Sequence, residues 1–408
     1  MIELRGDALT ATCDHTDASQ IDTNHCGDPV AVDLEPGRRD PKERNNPMMK
    51  LRGVCGLAVA VALGTALGGA APAVAQYTVT EHSVGITAGS EPWWITAGPD
   101  GALWFTEIDG NRVGRITTAG AVTEYSAGIT GTNLEQITVG PDGALWFTEA
   151  GGSRIGRITT AGVVTEYSAG ISAFAGLAGI TAGPDGALWF TEYWGDRIGR
   201  ITTAGAVTEY SAGITVGAKP NGITLGPDGA LWFTEAGGNR IGRITTAGVV
   251  TEYSTGITGD ARPSGLTSGP DGALWFTEYF GDRIGRITTA GVVTEYSAGI
   301  TAGAWPEGIT AGPDGALWFS EHSGNRIGRI TTAGKVTEYS AGITADAWLE
   351  GITSGPDGAL WFAESSGDRV GRLSLMAATS VPTLSALGLT ILGALVAAAG
   401  LLAMRRSS

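Results

Sequence analysis

The chain has 408 residues, a formal net charge of −15 and 65 glycines, and its repetitive part contains no lysine- or arginine-rich run. Because so acidic a chain repels a phosphate backbone, we expect no nucleic-acid partner. All three cysteines, Cys13, Cys26 and Cys55, precede the repeats, so neither a disulfide nor a thiolate metal site stabilises the repeats. The abundant glycine predicts many tight turns.

Residues 1–47 are polar and show no apolar period. A signal peptide normally begins its chain, and the segment after residue 47 has the layout of one. We therefore interpret residues 1–47 as a non-native N-terminal extension from an upstream start codon, with Met48 or Met49 as the true first residue.

Residues 48–75 form the predicted signal peptide. Lys50 and Arg52 precede a run of small apolar residues that ends at Ala73-Val74-Ala75. A basic start, an apolar core and an A-x-A site define a secretory signal, so the sequence predicts export with cleavage before Gln76. A buried helix of a globular domain is the alternative.

Residues 76–376 consist of one unit in seven copies. Self-similarity at a fixed period of this length is typical of propellers and solenoids. The octapeptide GPDGALWF returns every 42 or 43 residues, at Gly98, Gly140, Gly183, Gly226, Gly269, Gly312 and Gly355.

The unit at residues 179–213 alternates short β-branched and apolar runs with Gly, Pro and Asp and has no helical period. Pro184 is suited to the second position of a turn and Gly186 to positive φ, so GPDG predicts a hairpin. The pattern predicts four strands, near Gly179–Ala182, Ala187–Glu192, Arg197–Thr203 and Ala206–Ser211.

Apolar side chains occupy both faces of the second strand, since Leu188 and Phe190 point one way and Trp189 the other. Radially packed sheets cover both faces, so we predict an all-β, seven-bladed propeller of four-stranded blades. The seventh unit lacks a VTEYS strand, and the segment at Tyr77–Ser83 supplies one. Pairing that N-terminal strand with the last unit closes the ring. A solenoid is the alternative, but it gives no reason to split a repeat.

Residues 377–408 form a predicted sorting signal with a transmembrane helix. An uncharged apolar stretch runs to Met404 and is long enough to cross a bilayer, with Arg405-Arg406 on the cytoplasmic side. With Val381-Pro382-Thr383-Leu384 before it, the layout resembles the IPTL-CTERM sorting signals, although Leu387-Gly388 replaces their usual Trp-Gly. The resemblance implies transient anchoring in the inner membrane of a Gram-negative envelope, then removal by an exosortase-type peptidase. A permanent single-span anchor is the alternative.

The loops of the unit divide into a uniform set and a variable set. In a propeller blade, the GPDGA and TTAG hairpins lie on one face, and the second-to-third loops and the crossovers between blades lie on the other. Only the second set varies, and binding residues are often carried by loops on a rigid scaffold. We therefore predict a small-molecule, peptide or glycan site at that mouth, with neutral drift as the alternative. The predicted ligand-binding residues are Trp93, Trp94, Tyr193, Trp194, Asn221, Arg262, Tyr279, Phe280, Trp305, Glu307, Trp348 and Glu350.

The repeated GPDGALWFTE and GNRIGRIT segments resemble the virginiamycin B lyase, or streptogramin lyase, family of seven-bladed propellers, over about residues 77–375. The resemblance implies linearisation of a cyclic depsipeptide antibiotic by C–O elimination, with Mg²⁺ as cofactor and without water. In the family, a Glu-Pro-His-Gly-Ile crossover supplies a metal-associated carboxylate and a histidine base. A second metal-associated glutamate follows that histidine by fourteen residues.

Carried over to the first blade, the resemblance implies Glu91 and Glu107 as the metal-associated carboxylates. Trp93 stands at the histidine position, and tryptophan cannot accept a proton there. His82 and His322 are the only histidines after the signal peptide and are the remaining candidate bases. In the other six blades the histidine position holds Glu135, Ala178, Asn221, Ser264, Glu307 and Glu350.

The strand-end glutamate recurs in every unit, shortly before an Asn-Arg, Asp-Arg or Ser-Arg pair. Glu–Arg pairing that holds the blades together is the alternative to metal binding. These glutamates are Glu107, Glu149, Glu192, Glu235, Glu278, Glu321 and Glu364.

Three functions remain open from the sequence. We expect an exported ligand-binding or interaction module, because the catalytic histidine is missing. The second candidate is a Mg-dependent carbon–oxygen lyase with a rearranged base. The third is a lactonase-like propeller with a central Ca²⁺, for which the sequence contains no specific ligand set.

Overall fold

The computed structural model describes residues 77–375. The predicted extension, signal peptide and sorting signal lie outside the described residues. Apart from one 3-10 turn at Ala150–Gly152 the described chain is built of strands, and it contains no helix that is long and apolar enough to cross a membrane. The strands are β1 Tyr77–His82, β2 Pro92–Ala97, β3 Leu103–Glu107, β4 Arg112–Ile116, β5 Val122–Tyr125, β6 Leu134–Val139, β7 Leu145–Glu149, β8 Arg154–Ile158, β9 Val164–Tyr167, β10 Leu177–Ala182, β11 Ala187–Glu192, β12 Arg197–Thr202, β13 Val207–Tyr210, β14 Pro220–Leu225, β15 Leu231–Glu235, β16 Arg240–Ile244, β17 Val250–Tyr253, β18 Pro263–Ser268, β19 Leu274–Glu278, β20 Arg283–Ile287, β21 Val293–Tyr296, β22 Pro306–Ala311, β23 Leu317–Glu321, β24 Arg326–Ile330, β25 Val336–Tyr339, β26 Leu349–Ser354, β27 Leu360–Glu364 and β28 Arg369–Leu375.

The strands form seven antiparallel sheets of four strands each, which confirms the all-β seven-bladed propeller. Blade 1 is β2 to β5, and each following group of four strands forms the next blade up to blade 6. Blade 7 consists of β26, β27 and β28, and β1 is its fourth strand. Tyr77 lies opposite Leu375 and His82 opposite Val370 in this pairing. The N-terminal strand therefore closes the ring, as predicted.

The strand limits in the unit at residues 179–213 differ slightly from the predicted ones. The first strand begins at Leu177 because a β-bulge between Leu177 and Ile180 extends its pairing with β11. The third and fourth strands end at Thr202 and Tyr210, each one residue earlier than predicted. Hydrogen bonds of Thr202 with Gly205 and Ala206 close the turn between these two strands. Residues 203–206 therefore lie in the turn and outside the ladder.

The aspartate of the GPDG turn explains why the octapeptide recurs. In blade 3, Asp185 Oδ1 accepts the indole N–H of Trp189 at 3.1 Å, and Asp185 Oδ2 accepts the Nε–H of Arg200 at 2.6 Å. All seven blades contain this pair of bonds. Gly186 has φ of +72°, which glycine adopts without strain. One carboxylate thus connects the turn, the second strand and the third strand of each blade.

Each blade packs its tryptophan against the leucine and phenylalanine face of the next blade. Trp189 of blade 3 packs against Leu231 and Phe233 of blade 4, and all three side chains are fully buried. Equivalent clusters form at all seven interfaces, including Trp361 against Phe105 across the ring closure. Both faces of the second strand are therefore buried, as predicted from its sequence.

A hydroxyl on the second strand links each blade to its neighbour. Thr234 Oγ1 accepts the N–H of Gly222 at 2.9 Å and donates to the carbonyl of Ser264 in the next blade at 2.7 Å. Six blades make this inter-blade bond, with Ser320 supplying the hydroxyl in blade 6. Blade 7 has Ala363 at this position, so the closing interface has no such hydroxyl.

Other polar contacts are repeated across the ring closure. Asp368 of blade 7 accepts the backbone N–H groups of residues 89–91 in the crossover to blade 1, at 2.7 to 3.0 Å. On β1, Glu81 accepts both the backbone N–H and the hydroxyl of Thr344 at 2.6 Å. The outer-strand glutamate of every other blade binds its preceding crossover in the same way. These polar contacts are therefore the same at the closing interface, which lacks only the hydroxyl at Ala363.

Replacing Thr234 by alanine should lower the free energy of unfolding by about 1–3 kcal/mol, because a buried N–H and a buried carbonyl both lose their partner. Chemical denaturation followed by far-UV circular dichroism measures the change. Thr234→Ser is the matched control and should cost much less, since Ser320 makes the same bond in blade 6. Equal unfolding midpoints for Thr234→Ala and the unchanged protein would contradict the role given to this hydroxyl.

Candidate functional site at one mouth of the propeller

The second-to-third loops lie against the crossovers at one end of the ring, which we call the mouth. In blade 5 the N–H of Tyr279 donates to the carbonyl of Arg262 at 3.2 Å. In blade 6 the N–H of His322 donates to the carbonyl of Trp305 at 3.0 Å. Because every blade has an equivalent bond between its loop and its crossover, the variable segments come together as predicted.

The crossover residue before each first strand has a positive φ. Blade 3 uses Gly176, whereas the other blades use larger residues. A non-glycine residue costs about 1–2 kcal/mol in this conformation, and such strain is concentrated at functional sites. Carboxylates of the loops help to hold the crossover residues in this conformation. For example, Asp282 accepts the N–H of Trp305 at 3.0 Å. The residues with φ between 49° and 56° are Glu91, Asn133, Lys219, Arg262, Trp305 and Trp348.

A cavity of about 330 Å³ opens at the mouth. Glu135, Gln136 and Ser264 also line it and were missing from the predicted set. The signal for Glu135 and Ser264 was available, because both have the strand position of Asn221 and Glu307. Of the predicted ligand-binding residues, seven line the cavity, namely Trp93, Trp94, Tyr193, Trp194, Asn221, Arg262 and Glu307.

The second residues of several first strands contact one another between adjacent blades, where they line the channel. Trp93 Nε1–H donates to Glu135 Oε2 at 3.0 Å between blades 1 and 2. Asn221 Nδ2–H donates to Ser264 Oγ at 3.0 Å, and Ser264 Oγ–H donates to Glu307 Oε1 at 2.7 Å. This is the strand position at which the resemblance expects the histidine base, and side chains from different blades make direct contact there.

Two of these channel carboxylates have raised pKa values. Burial raises the pKa of Glu135 to about 7, against the hydrogen bond from Trp93 and with the added repulsion of Glu307 and Glu350. Burial and the charge of Glu350 raise the pKa of Glu307 to about 7, against the hydrogen bond from Ser264. Both carboxyls therefore change charge near neutral pH.

The remaining predicted ligand-binding residues surround His322, next to the cavity. The imidazole lies between the rings of Trp305 and Trp348, with centroids 6.1 and 5.6 Å away and interplanar angles of 18° and 27°. Tyr279 is 5.8 Å away and contacts Phe280 edge-on. Trp348 is half exposed. The result is an aromatic surface on blades 5 to 7.

His322 is paired with a buried carboxylate. Its Nδ1 lies 2.9 Å from Glu350 Oε1, which also accepts the hydroxyl of Ser365 at 2.9 Å. Burial acts to lower the pKa of His322, but the hydrogen bond and charge of Glu350 and the charge of Glu307 outweigh it and raise the pKa. Glu350 therefore stabilises the protonated imidazole of His322.

The second candidate base, His82, does not lie at the mouth. It lies on the outer strand β1 and stacks on Trp361 at 5.7 Å. In the other six blades a tyrosine stacks on the equivalent tryptophan at 5.4 to 5.5 Å. The Nε2 of His82 is buried without a hydrogen-bond partner among the described residues. Its surroundings are those of a packing residue.

The two residues of the proposed metal-associated pair differ in their surroundings, although the N–H of Ile108 donates to the carbonyl of Glu91. Glu107 is fully buried inside blade 1, with Arg112 Nη1 3.7 Å from its Oε2. Burial and the charge of Glu124 on the outer strand raise the pKa of Glu107 to about 8. Glu91 is at the mouth, where burial and the charges of Asp109, then Asp368, raise its pKa. Within residues 77–375 no three His, Cys, Asp or Glu side chains form a metal-binding group.

The strand-end glutamates pair with arginine inside each blade. Glu235 Oε2 accepts the Nε–H of Arg240 at 2.7 Å, and Arg240 also lies 3.4 Å from Glu252 on the outer strand. Six of the seven glutamates make this ion pair, whereas Arg154 beside Glu149 pairs only with Glu166 among the described residues. The pairs connect the strands of one blade, while the outer glutamates connect successive blades.

Fold and cavity together define a seven-bladed propeller with a ligand-sized cavity at one mouth. The chain belongs to the virginiamycin B lyase family, which it matches over residues 74–253 and 212–386. A second match, to the IPTL-CTERM motif, covers residues 379–406. A comparison with curated proteins gives no match.

Solved structures agree with this family. The chain is 41% identical to a streptogramin B lyase structure, which aligns over 74% of this chain and 98% of that chain with a TM-score of 0.69. It is 40% identical to virginiamycin B lyase from Staphylococcus aureus, and the alignment covers 74% of this chain and 100% of that chain with a TM-score of 0.69. The chain is 41% identical to a catalytically inactive variant of that enzyme with quinupristin. That alignment covers 74% of this chain and 100% of that chain with a TM-score of 0.68.

Replacing His82 by tyrosine should raise the melting temperature by about 1–4 °C, because it restores the aromatic pair of the other blades and removes an unpartnered nitrogen. Burial, then Arg372, lowers the pKa of His82, so its protonation opposes folding as pH falls below about 6.5. The gain should therefore be larger at pH 5 than at pH 8 in differential scanning calorimetry.

The reverse change, Tyr125→His, is the matched control in blade 1 and should lower the melting temperature. A His82→Tyr protein that melts below the unchanged protein would show that His82 has a role the other blades lack.

Proposed function

We propose that the chain is exported, sorted to the cell envelope and acts as a ligand-binding propeller that takes a small molecule, peptide or glycan in the mouth cavity. The observation that carries this proposal is that residues from six successive blades, Trp93 to Glu307 in the sequence, line one cavity of about 330 Å³. A cavity of this size with aromatic walls and a few polar groups is typical of a small-molecule site.

The channel position that the family resemblance assigns to the base supports binding rather than elimination. Trp93 occupies it in blade 1 and uses its N–H to bind Glu135. A general base needs a lone pair of suitable pKa within hydrogen-bond reach of the substrate. An indole has none, so Trp93 acts as a wall of the cavity.

One observation favours a lyase with a rearranged base as the second candidate. His322 and Glu350 form a histidine–carboxylate pair beside the channel, 2.9 Å apart. In that role His322 would take the proton and Glu350 would orient the imidazole. Against it, the rings of Trp305 and Trp348 both stack on the imidazole and limit the access of a substrate to it. The carboxylates implied for Mg²⁺ do not fit an ion either, because Glu107 is fully buried inside blade 1 with Arg112 Nη1 3.7 Å from its Oε2. Within residues 77–375 no third carboxylate, histidine or cysteine completes a ligand group, so no step is routed through a metal.

The two ends of the chain support export. The signal peptide predicted at residues 48–75 directs secretion, and the IPTL-CTERM match at residues 379–406 fits sorting in the envelope. The apolar stretch ending at Met404 would serve as the transient inner-membrane anchor until an exosortase-type peptidase removes it. The propeller would then be displayed at the surface or released.

A cavity-filling substitution tests the binding role. We expect the full chain in mild detergent to bind at least one member of a panel of small molecules, peptides and glycans that includes quinupristin, measured by tryptophan fluorescence. Ala178→Trp should weaken that binding at least tenfold because Ala178 lines the cavity. The exposed Ala169→Trp is the control and should leave the affinity unchanged. Binding that survives Ala178→Trp would contradict the cavity as the site.

A lyase assay tests the second candidate. We expect negligible linearisation of virginiamycin B with Mg²⁺, since a well-placed base contributes about 10² to 10⁴ in rate. The Trp93→His, Trp94→Gly double variant restores the base and the glycine of the family crossover and is assayed beside the unchanged chain. Ready turnover by the unchanged chain that is lost in His322→Ala would establish the rearranged base and overturn the binding-only role.

A further inference from the structure

We infer that the mouth cavity takes an organic cation, an amine or quaternary ammonium group on a small apolar body, with Glu135 and Glu307 as its counter-charges. This inference rests on the proposed binding role and names the chemical class of ligand.

The first observation is that the carboxylates in the cavity lack basic partners. Glu135 is held only by the indole of Trp93, and Glu307 only by the hydroxyl of Ser264. Between residues 77 and 375 neither forms an ion pair. Both carboxylates are partly buried. A partly desolvated carboxylate without a counter-charge is costly, so a cation in the cavity would remove a cost that the protein itself leaves uncompensated.

The second observation is a third carboxylate behind these two. Glu350 is only 1% exposed, and its Oε2 has no hydrogen-bond partner among the described residues. Its charge raises the pKa of both Glu135 and Glu307, so the three groups act on one region of the channel. His322 pairs with Glu350, and the charges of His322 and Arg262 also act on Glu307. Three carboxylates against these two basic groups favour a cation over an anionic ligand.

The third observation is that the aromatic rings of the mouth already accept cations. Lys219 Nζ lies 5.1 Å from the ring centroid of Trp194 and 5.6 Å from that of Tyr193. The Arg262 guanidinium lies 4.9 Å from the rings of both Tyr279 and Phe280. These are cation–π distances. Arg262 thus stacks on aromatic rings and leaves Glu307 unpaired, although both line the cavity.

The cavity combines both elements that an ammonium group needs. Trp93, Trp94 and Trp194 supply aromatic walls, and Glu135 and Glu307 supply negative charge. An ammonium ion leaves water at a small cost only where aromatic faces and carboxylates replace its hydration together. A neutral sugar or peptide would use the walls and leave both carboxylates unpaired, which is why we favour a cation.

Pairs of probes that differ only in charge test the inference. Choline and its uncharged isostere 3,3-dimethylbutan-1-ol form one pair, and benzylamine and benzyl alcohol the second. Isothermal titration calorimetry on the full chain in mild detergent at pH 8, where Glu135 and Glu307 are ionised, gives the affinities. We expect each cation to bind at least about tenfold more tightly than its neutral partner.

Variants test whether the charges of Glu135 and Glu307, rather than the shape of the cavity, favour the cations. Glu135→Gln and Glu307→Gln should each weaken cation binding about fivefold or more and leave the neutral partners unchanged. Asp260→Asn removes an exposed charge outside the cavity and is the matched control, with no expected effect.

The outcomes distinguish the inference from the proposed function. Equal affinity within each pair, no binding by either cation, or no response to the two glutamine variants would overturn the cationic ligand class. The binding role would still stand if another ligand were lost in Ala178→Trp. It would fail if no ligand of the wider panel responded to that substitution.

Discussion

The hydrogen bond between the turn aspartate and the indole of the next strand is the interaction on which the propeller depends. Each tryptophan must be fully buried to fill the space between two blades, and a buried indole N–H without an acceptor would destabilise the core. Asp185 supplies that acceptor to Trp189 and binds Arg200 with its second oxygen. Burial acts to raise the pKa of Asp185, but both hydrogen bonds outweigh it and keep the pKa low. The repeated octapeptide is therefore one structural device, used once per blade.

This arrangement fixes one face of the ring and leaves the other free to vary. The GPDG and TTAG hairpins cannot change without loss of the aspartate network or the register of the outer strands. The mouth loops are held mainly through their backbone, as where the N–H of His322 donates to Trp305, so their side chains can differ between blades. Strained crossover residues such as Arg262 and Trp348 then carry large side chains at fixed positions. A uniform scaffold and a seven-part variable mouth follow from the same repeat.

The sequence was sufficient for the strands, the buried faces and the ring closure, because all three follow from local periodicity and a count of repeats. It was not sufficient for contacts across the channel. Glu135 and Glu307 are four blades apart, and only the closed ring brings their charges close enough to interact. His82 was a candidate base only by residue type, whereas its place in the repeat is that of the stacking tyrosine. The NR and DR pairs suggested one Glu–Arg contact, but their Asn and Asp side chains also hold the next crossover.

The glutamates at the strand ends and the glutamates in the channel differ in whether an arginine balances their charge. This difference supports a binding site at the mouth. Burial raises the pKa of Glu278 at its strand end to about 8, so it favours the folded state below pH about 4.5 and loses this contribution as pH rises through 8. Arg283, 2.6 Å away, limits the penalty when the carboxyl ionises. Glu135 and Glu307 in the channel have pKa values near 7, and among residues 77–375 neither forms an ion pair with arginine. The scaffold thus carries its own counter-charges, whereas the mouth leaves negative charge that a ligand from outside can balance.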